Sequence, residues 1–578
     1  MFDLIIRNGT VVDGTGVAPF FADVAVKDGR IAAVGPSLGG ESGESIDARG
    51  LTVTPGFVDL HTHYDGQLTW DSLLEPSSAH GVTTVVAGNC GVGFAPVRPG
   101  SQAWLVQLME GVEDIPGTAL HEGIDWSWES FPDYLDSIEP RRWSMDVGVF
   151  VPHGPVRGYV MGERGAANEN ATPQDYAQMA QLVRDAIEAG AFGFSTSRTV
   201  GHKAKDGRPV PGTYAAFEEL EAIANAVVAG GGGLFEVAPA ALEGGDLQPL
   251  DELALMAKLS RQSGLTTSYL LLQNRPNPTM WRRQLEETAI LNASGAHLIP
   301  QVAGRPFGVL VGFASYHPFQ RRPSFCSVAA GRSFPELVNE LKKPSVRDAI
   351  LSEPDLPIDP GSPFDAMPEL INVSFDHIFA LGPDVNYEPA PDQSILSLAI
   401  AAGTDVHRIA YDLMLEHDGE AFLLLPFLGY SDGNLDALHQ MMTTEGTILG
   451  LADGGAHCRM ICDASQPTTM LTHWIRDRTR GPKLDLVTAV KRQTSETSTL
   501  LGLHDRGIVT VGKRADLNVI DLDALTLHRP RPVDDLPAGG RRILQSATGY
   551  VATVVAGAVT RRHGVDTGAR PGRLLRAR

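Results

Sequence analysis

The stretch Pro55-Gly56-Phe57-Val58-Asp59-Leu60-His61-Thr62-His63 is an apolar run that ends in two histidines, two positions apart. In extended backbone, residues i and i+2 project from the same face, so both imidazoles enter one space. Neutral imidazole is a common ligand of zinc and similar ions. A second apolar run leads into Val85-Val86-Ala87-Gly88-Asn89-Cys90-Gly91-Val92-Gly93, where glycines allow other groups close to Cys90. A thiolate is a strong zinc ligand and can bridge two ions. On its own, a cysteine after an apolar run is more often a buried small hydrophobe. A third run ends in Gly450-Leu451-Ala452-Asp453-Gly454-Gly455-Ala456-His457. A carboxylate there can hold a metal and accept a proton from water, although an Asp-Gly pair alone is an ordinary turn.

Positioning these groups needs a repeating scaffold. Apolar strand candidates fall at residues 56–63, 82–91, 145–153, 192–198, 234–238, 266–273, 297–302 and 447–453. Helical spacing is clear over 173–189 and 217–229, each followed by glycine. Repeated strand–helix units imply a parallel sheet, and eight of them imply an α/β fold closed into a (β/α)₈ TIM barrel over residues 55–504. Residues from about 305 to 400 break the alternation. They are rich in Pro, Phe and polar residues, with a helix-like stretch near 335–350, and read as an insertion and lid between the seventh and eighth strands. Both ends of the chain carry short β-branched runs. Asn8-Gly9 and Asp28-Gly29 read as hairpin turns. Residues 1–54 and 505–578 are therefore expected to form one small discontinuous β domain, a β-sandwich built from both termini.

Composition narrows the partners. The 578 residues carry 47 basic and 69 acidic groups, a net charge of −22. That surface argues against nucleic acid and anionic membrane as partners, and says nothing of which small-molecule substrate a pocket would take. Four cysteines make no disulfide framework. The N-terminus lacks the pattern of a signal peptide and no apolar run reaches 18 residues, so the expected compartment is the cytoplasm. Subunit number is open, and a homo-oligomer is allowed.

The order PGFVDLHTH, GNCGVG and ADGGAH, with GIVTVGKRADLNVIDLD near the C-terminus, resembles the amidohydrolase superfamily, and within it the N-acyl-D-amino-acid deacylase (D-aminoacylase) branch. The resemblance covers nearly the whole chain outside the insertion. It implies hydrolysis of the amide bond of an N-acyl (D-)amino acid or related small amide by metal-activated water. It implies that His61, His63 and Asp453 serve one metal position, with Asp453 also as general acid/base. Cys90 would serve a second, helped by histidines ending strands five and six. Zinc, one or two ions per chain, suits mixed nitrogen, sulfur and oxygen donors.

The chain departs from that pattern. Strand five offers Glu236 where a histidine is expected, and strand six has none. Glu236 is a candidate metal ligand or a structural carboxylate. One metal is thus as compatible as two. Strand four lacks the lysine that cyclic-amide hydrolases of the superfamily generally carboxylate to bridge two metals, and offers Arg198 at its end. Arg198 can pair with a substrate carboxylate or anchor a loop. His153, Gln273, Gln301 and His457 end other strands and are candidates for binding substrate, with His202 in the loop after strand four. Two further readings stand beside the amidase: a cyclic amide or lactone hydrolase, and a barrel that only binds a ligand.

Overall fold

The computed structural model describes residues 1–577 other than 241, 243–248, 360 and 363. The barrel strands follow the sequence runs. Strand one is Phe57–Asp59 and strand two Val82–Ala87. Strand three is Asp146–Val149, continued by Val151–Pro152. Strands four, five and six are Gly193–Ser197, Leu234–Ala238 and Thr266–Leu270. Strands seven and eight are Leu298–Ala303 and Ile448–Gly450. Neighbours pair in parallel around the ring. A parallel bridge between Thr62 and Gly454 joins the last strand to the first. The ring therefore closes, as repeated right-handed strand–helix units require when each buries one helix face.

The helices between strands show why the spacing was readable. Pro173–Glu188 starts with a capping box, Thr172 with Asp175, and proline in the first turn. Its buried residues Met179, Val183, Ala186 and Ile187 lie on one stripe.

Both termini contribute to one sheet. Among the described residues its order is Val565–Asp566, Ala558–Arg562, Tyr550–Val555, Leu517–Ile520, Thr52–Pro55, Phe2–Val11, Phe20–Lys27 and Arg30–Gly35, with Ser42–Asp47 also on Phe2–Val11. The sheet is mixed, because Phe2–Val11 pairs in parallel with both Ser42–Asp47 and Thr52–Pro55. It is also continuous, where two separate sandwich sheets were expected. Asn8-Gly9 is not a hairpin. It is a bulge inside Phe2–Val11, with Asn8 at φ 58° and its N–H donated to Asp23 Oδ1 at 2.7 Å. Such a bulge bends one strand so that a single sheet can curl over its own core of Leu4, Ile6, Val24, Val519 and Val554. Asp28-Gly29 does form the expected two-residue hairpin.

Two parts of the C-terminal region leave that sheet. A hairpin, Arg531–Leu536 with Gly540–Leu544, reaches the barrel, where Ile543 N–H donates to Cys458 O at 2.7 Å. The tail crosses strand three, with Leu575 N–H on Val147 O at 2.7 Å. Leu575 is buried there with Val58, Val86, Phe150, Phe192 and Leu234.

The insertion is longer than the break in composition indicated. Phe307–Val311 pairs with Leu423–Leu428, which also pairs with Phe379–Ala380. The return strand LLLPFL thus lies beyond residue 400. Its continuous apolar run has no alternation because both faces are covered. The helix-like stretch is two helices, Phe334–Leu341 and Pro344–Ser352, broken at Pro344. The insertion has its own core, including Val311, Phe313, Phe319, Ile350, Tyr411 and Leu423.

Candidate active site

His61 and His63 follow strand one directly, and both are buried. His61 Nδ1 lies 3.0 Å from Gln301 Oε1 on strand seven. With Nδ1–H donated there, the Nε2 lone pair faces inward, the arrangement typical of ligating histidines. Nε2 is 3.4 Å from Cys90 Sγ and 3.5 Å from Asp453 Oδ1. His63 Nε2 is 3.7 Å from the same carboxylate oxygen. Ligand atoms of His61, His63 and Cys90 all fall within 4.8 Å of one another.

The cysteine arrives by way of an unusual turn. Cys90 has φ 54°, between Gly88 at 82° and Gly91 at 69°. A side chain rarely occupies that region without support. Here the Cys90 N–H donates to Glu236 Oε2 at 3.0 Å, and Gly91 N–H to Ser195 Oγ at 3.0 Å. Asp453 is also left-handed, at φ 50°, in the turn after strand eight. Its N–H donates to His61 O at 3.2 Å, and His63 N–H donates to Gly454 O at 2.8 Å. The closure of the barrel thus sets the Asp453 carboxylate against both imidazoles.

Glu113 enters the site unannounced by the sequence reading. It ends the helix Gln102–Glu113 and is 1% exposed. Its Oε1 is 3.3 Å from His63 Nδ1 and its Oε2 is 3.5 Å from His457 Nε2. A signal existed. Glu113 falls on the helix face of Val106 and Met109, where a carboxylate is out of place unless paired. The next residue, Asp114, is fully buried and holds Arg459 and Tyr316 of the insertion, with Tyr316 Oη at 2.7 Å.

Burial governs the electrostatics. It pulls the His61 pKa down to about 4, against the field of Asp453, and that of His63 down to about 3. It likewise lowers that of His457 to about 4. The imidazoles are therefore neutral at neutral pH, which is the ligating form. Burial pushes Glu236 up to about 8, opposed by the Cys90 N–H and helped by Asp453. The Cys90 thiol and the Glu113 carboxyl both rise well above their usual values, first through burial and then through neighbouring acids. Four acids crowd one dry volume, and Glu236 Oε1 has no hydrogen-bond partner. Nitrogen, sulfur and oxygen donors with mutually repelling charges fit a divalent cation, which would stabilise every anionic form at once.

Other candidates are placed elsewhere. His153 is fully buried, and its ring nitrogens contact Thr196 Oγ1 at 2.8 Å and Glu219 Oε1 at 2.9 Å. Arg198 is a loop anchor, paired with Glu252 and donating to Ala215 O at 3.0 Å. Gln273 is spent on the insertion's return, donating to Asp432 Oδ2 at 2.8 Å and accepting from Ser431 N–H at 3.1 Å. Gln301 orients His61. His457 does stand at the mouth, edge-on to Phe307 at 5.5 Å. His202 contacts Ser197 Oγ at 2.9 Å, and its field is felt by His61, His63 and His457.

A closed parallel barrel with chemically capable side chains at the C-terminal ends of its strands defines an α/β-barrel enzyme. The chain belongs to the amidohydrolase family, whose profile matches residues 44–561. It is 27% identical to an uncharacterised protein of Mycobacterium tuberculosis over 97% of this chain and 92% of that one. It is 35% identical to a D-aminoacylase of Alcaligenes xylosoxydans over 34% of this chain and 37% of the other. Its fold is similar to a crystal structure of D-aminoacylase, with TM-score 0.65, 23% identity and full coverage of both chains. It is equally similar, with TM-score 0.65, 22% identity and full coverage of both, to N-acyl-D-glutamate deacylase of Bordetella bronchiseptica in complex with zinc and a phosphonate inhibitor. The chain is thus an amidohydrolase whose fold is similar to that of D-aminoacylase.

Proposed function

We propose that the protein hydrolyses the amide bond of N-acyl amino acids, of D configuration, using a divalent cation held by His61, His63 and Cys90. The observation that carries this reading is the gathering of those three ligand atoms within 4.8 Å, with Asp453 Oδ1 3.5 and 3.7 Å from the two imidazoles. The relatives' names support the D configuration, though over a third of the chain. Zinc suits the donors. When bound, such an ion lowers the pKa of water and polarises a carbonyl.

The residues divide the remaining work. Gln301 orients His61, and the Glu113 carboxyl stands 3.3 Å from His63 Nδ1. Asp453 takes the proton from the attacking water as its oxygen bonds to the acyl carbon. It then delivers that proton to the amine nitrogen as the C–N bond breaks, leaving a carboxylic acid, which ionises on release to water, and a free amino acid. In this reading His457 donates toward the developing oxyanion.

The test is hydrolysis by zinc-loaded and by chelated protein, read as amine release from N-acyl-D- and N-acyl-L-amino acids and as acid release on ring opening of hydantoins and lactones. Release from linear D substrates that requires zinc supports the reading. Turnover of cyclic substrates alone would replace it with a cyclic amide or lactone hydrolase. Metal-independent binding without turnover would leave a ligand-binding barrel.

A further inference from the structure

Among the described residues, the gathered ligating side chains follow strands one and two, with Asp453 in the turn after strand eight. On strand five, Glu236 and Ala238 share a face, being two apart. Glu236 pairs in register with Ser268 on strand six, so the next residue on that inner face is Leu270. On strand seven, Gln301 and Ala303 share a face in the same way. The lower rung is polar and occupied: Glu236 braces the Cys90 N–H and Gln301 holds His61. The rung above is apolar. Ala238, Leu270 and Ala303 are buried together with Cys90 and Leu451, with Leu272 packed against them.

A second cation beside the Cys90 sulfur would have to lie against that wall. It would trade hydration for methyl groups, which no divalent ion does without replacement donors. Glu236 Oε1 is a single buried oxygen without a hydrogen-bond partner. Sulfur and one oxygen are two donors where zinc takes four. Among the described residues, the group of three or more ligating side chains is His61, His63 and Cys90. Three protein ligands with an open corner is the arrangement of a one-ion catalytic centre.

We infer that this centre holds one cation per chain, with Cys90 as a terminal rather than a bridging ligand, the space of a second ion being filled by Ala238, Leu270 and Ala303. The inference rests on the proposed function and narrows it.

Cobalt(II) titration of chelator-treated full-length protein tests it, read by absorbance and by bound metal per chain. The expected result is saturation at one equivalent, with a thiolate-to-cobalt charge-transfer band rising throughout. In Cys90→Ser the band is lost. A band that persists in that variant would remove Cys90 as a ligand and overturn the inference. Because the variant can fail to fold, the wild-type stoichiometry decides the ion count by itself. Two equivalents would overturn the inference and leave the metallohydrolase reading intact. No specific uptake would overturn both.

Discussion

Glu113 touches two imidazoles and no solvent, so its effect reaches chemistry through them. Carboxylate partners of ligating histidines commonly contribute 10- to 100-fold to metal affinity or activity. Glu113→Gln keeps the shape and removes the ionisable carboxyl. It is expected to weaken zinc binding by roughly that factor, about 10–100-fold, measured by competition with a chromophoric chelator. An unchanged affinity would make Glu113 a packing residue. Asp453 has a different signature. Asp453→Asn is expected to lower kcat by about 10²–10⁴-fold, the usual scale for a lost general base or acid, with a smaller change in KM. The opposite split, with KM raised and kcat kept, would reduce Asp453 to a substrate contact.

At the scale of elements, the turn after strand two is the critical one. Gly91 has φ 69°, and an added Cβ would lie 2.8 Å from Ser197 N and 3.0 Å from Thr196 Cα. Gly91→Ala is expected to destabilise the protein by about 1–3 kcal/mol and to displace the Cys90 loop from strand four. Chemical denaturation gives the first quantity and cobalt absorbance the second. Wild-type values for both would mean that the loop tolerates a shift. The strands themselves were legible because each barrel strand is a short apolar run bounded by glycine or polar residues. His61, His63, Cys90 and Asp453 were legible because each closes such a run. Glu113 was not, since helix periodicity flags faces and says nothing of which strand end a helix terminus will meet. Gln273, His153 and Arg198 close strands too, yet their partners Asp432, Glu219 and Glu252 come from distant segments. Strand-end position marks candidates. Tertiary pairing decides which of them remain free for chemistry.

The whole molecule is tied together by buried charge and by the insertion's own core. Asp146 at the foot of strand three is fully buried and receives Arg506 at 2.8 Å and Arg514 at 2.9 Å. These pairs bind the terminal sheet to the barrel, a link invisible to local sequence patterns. In the insertion, His317 is buried among Phe313, Phe319 and Phe325, and burial depresses its pKa to about 3. An unfolded histidine titrates near 6.5. A folded pKa below the unfolded one gives stability that is present above about pH 6.5 and declines as pH falls toward 3. Hydrogen exchange in the insertion is therefore expected to quicken between pH 6.5 and 4.5, after correction for intrinsic rates, and to do so less in His317→Gln. Identical profiles would show that His317 does not govern its opening.

The central claim is that His61, His63 and Cys90 hold a cation which, with Asp453 beside it, makes the protein an amidohydrolase of N-acyl amino acids. It is tested most directly by amine release from a panel of N-acyl-D-amino acids, with protein stripped by chelator and then restored with zinc. The account predicts no release from stripped protein, recovery on adding zinc, and no recovery in Asp453→Asn. Equal release with and without metal, or none from any N-acyl amino acid by zinc-replete protein, would contradict it.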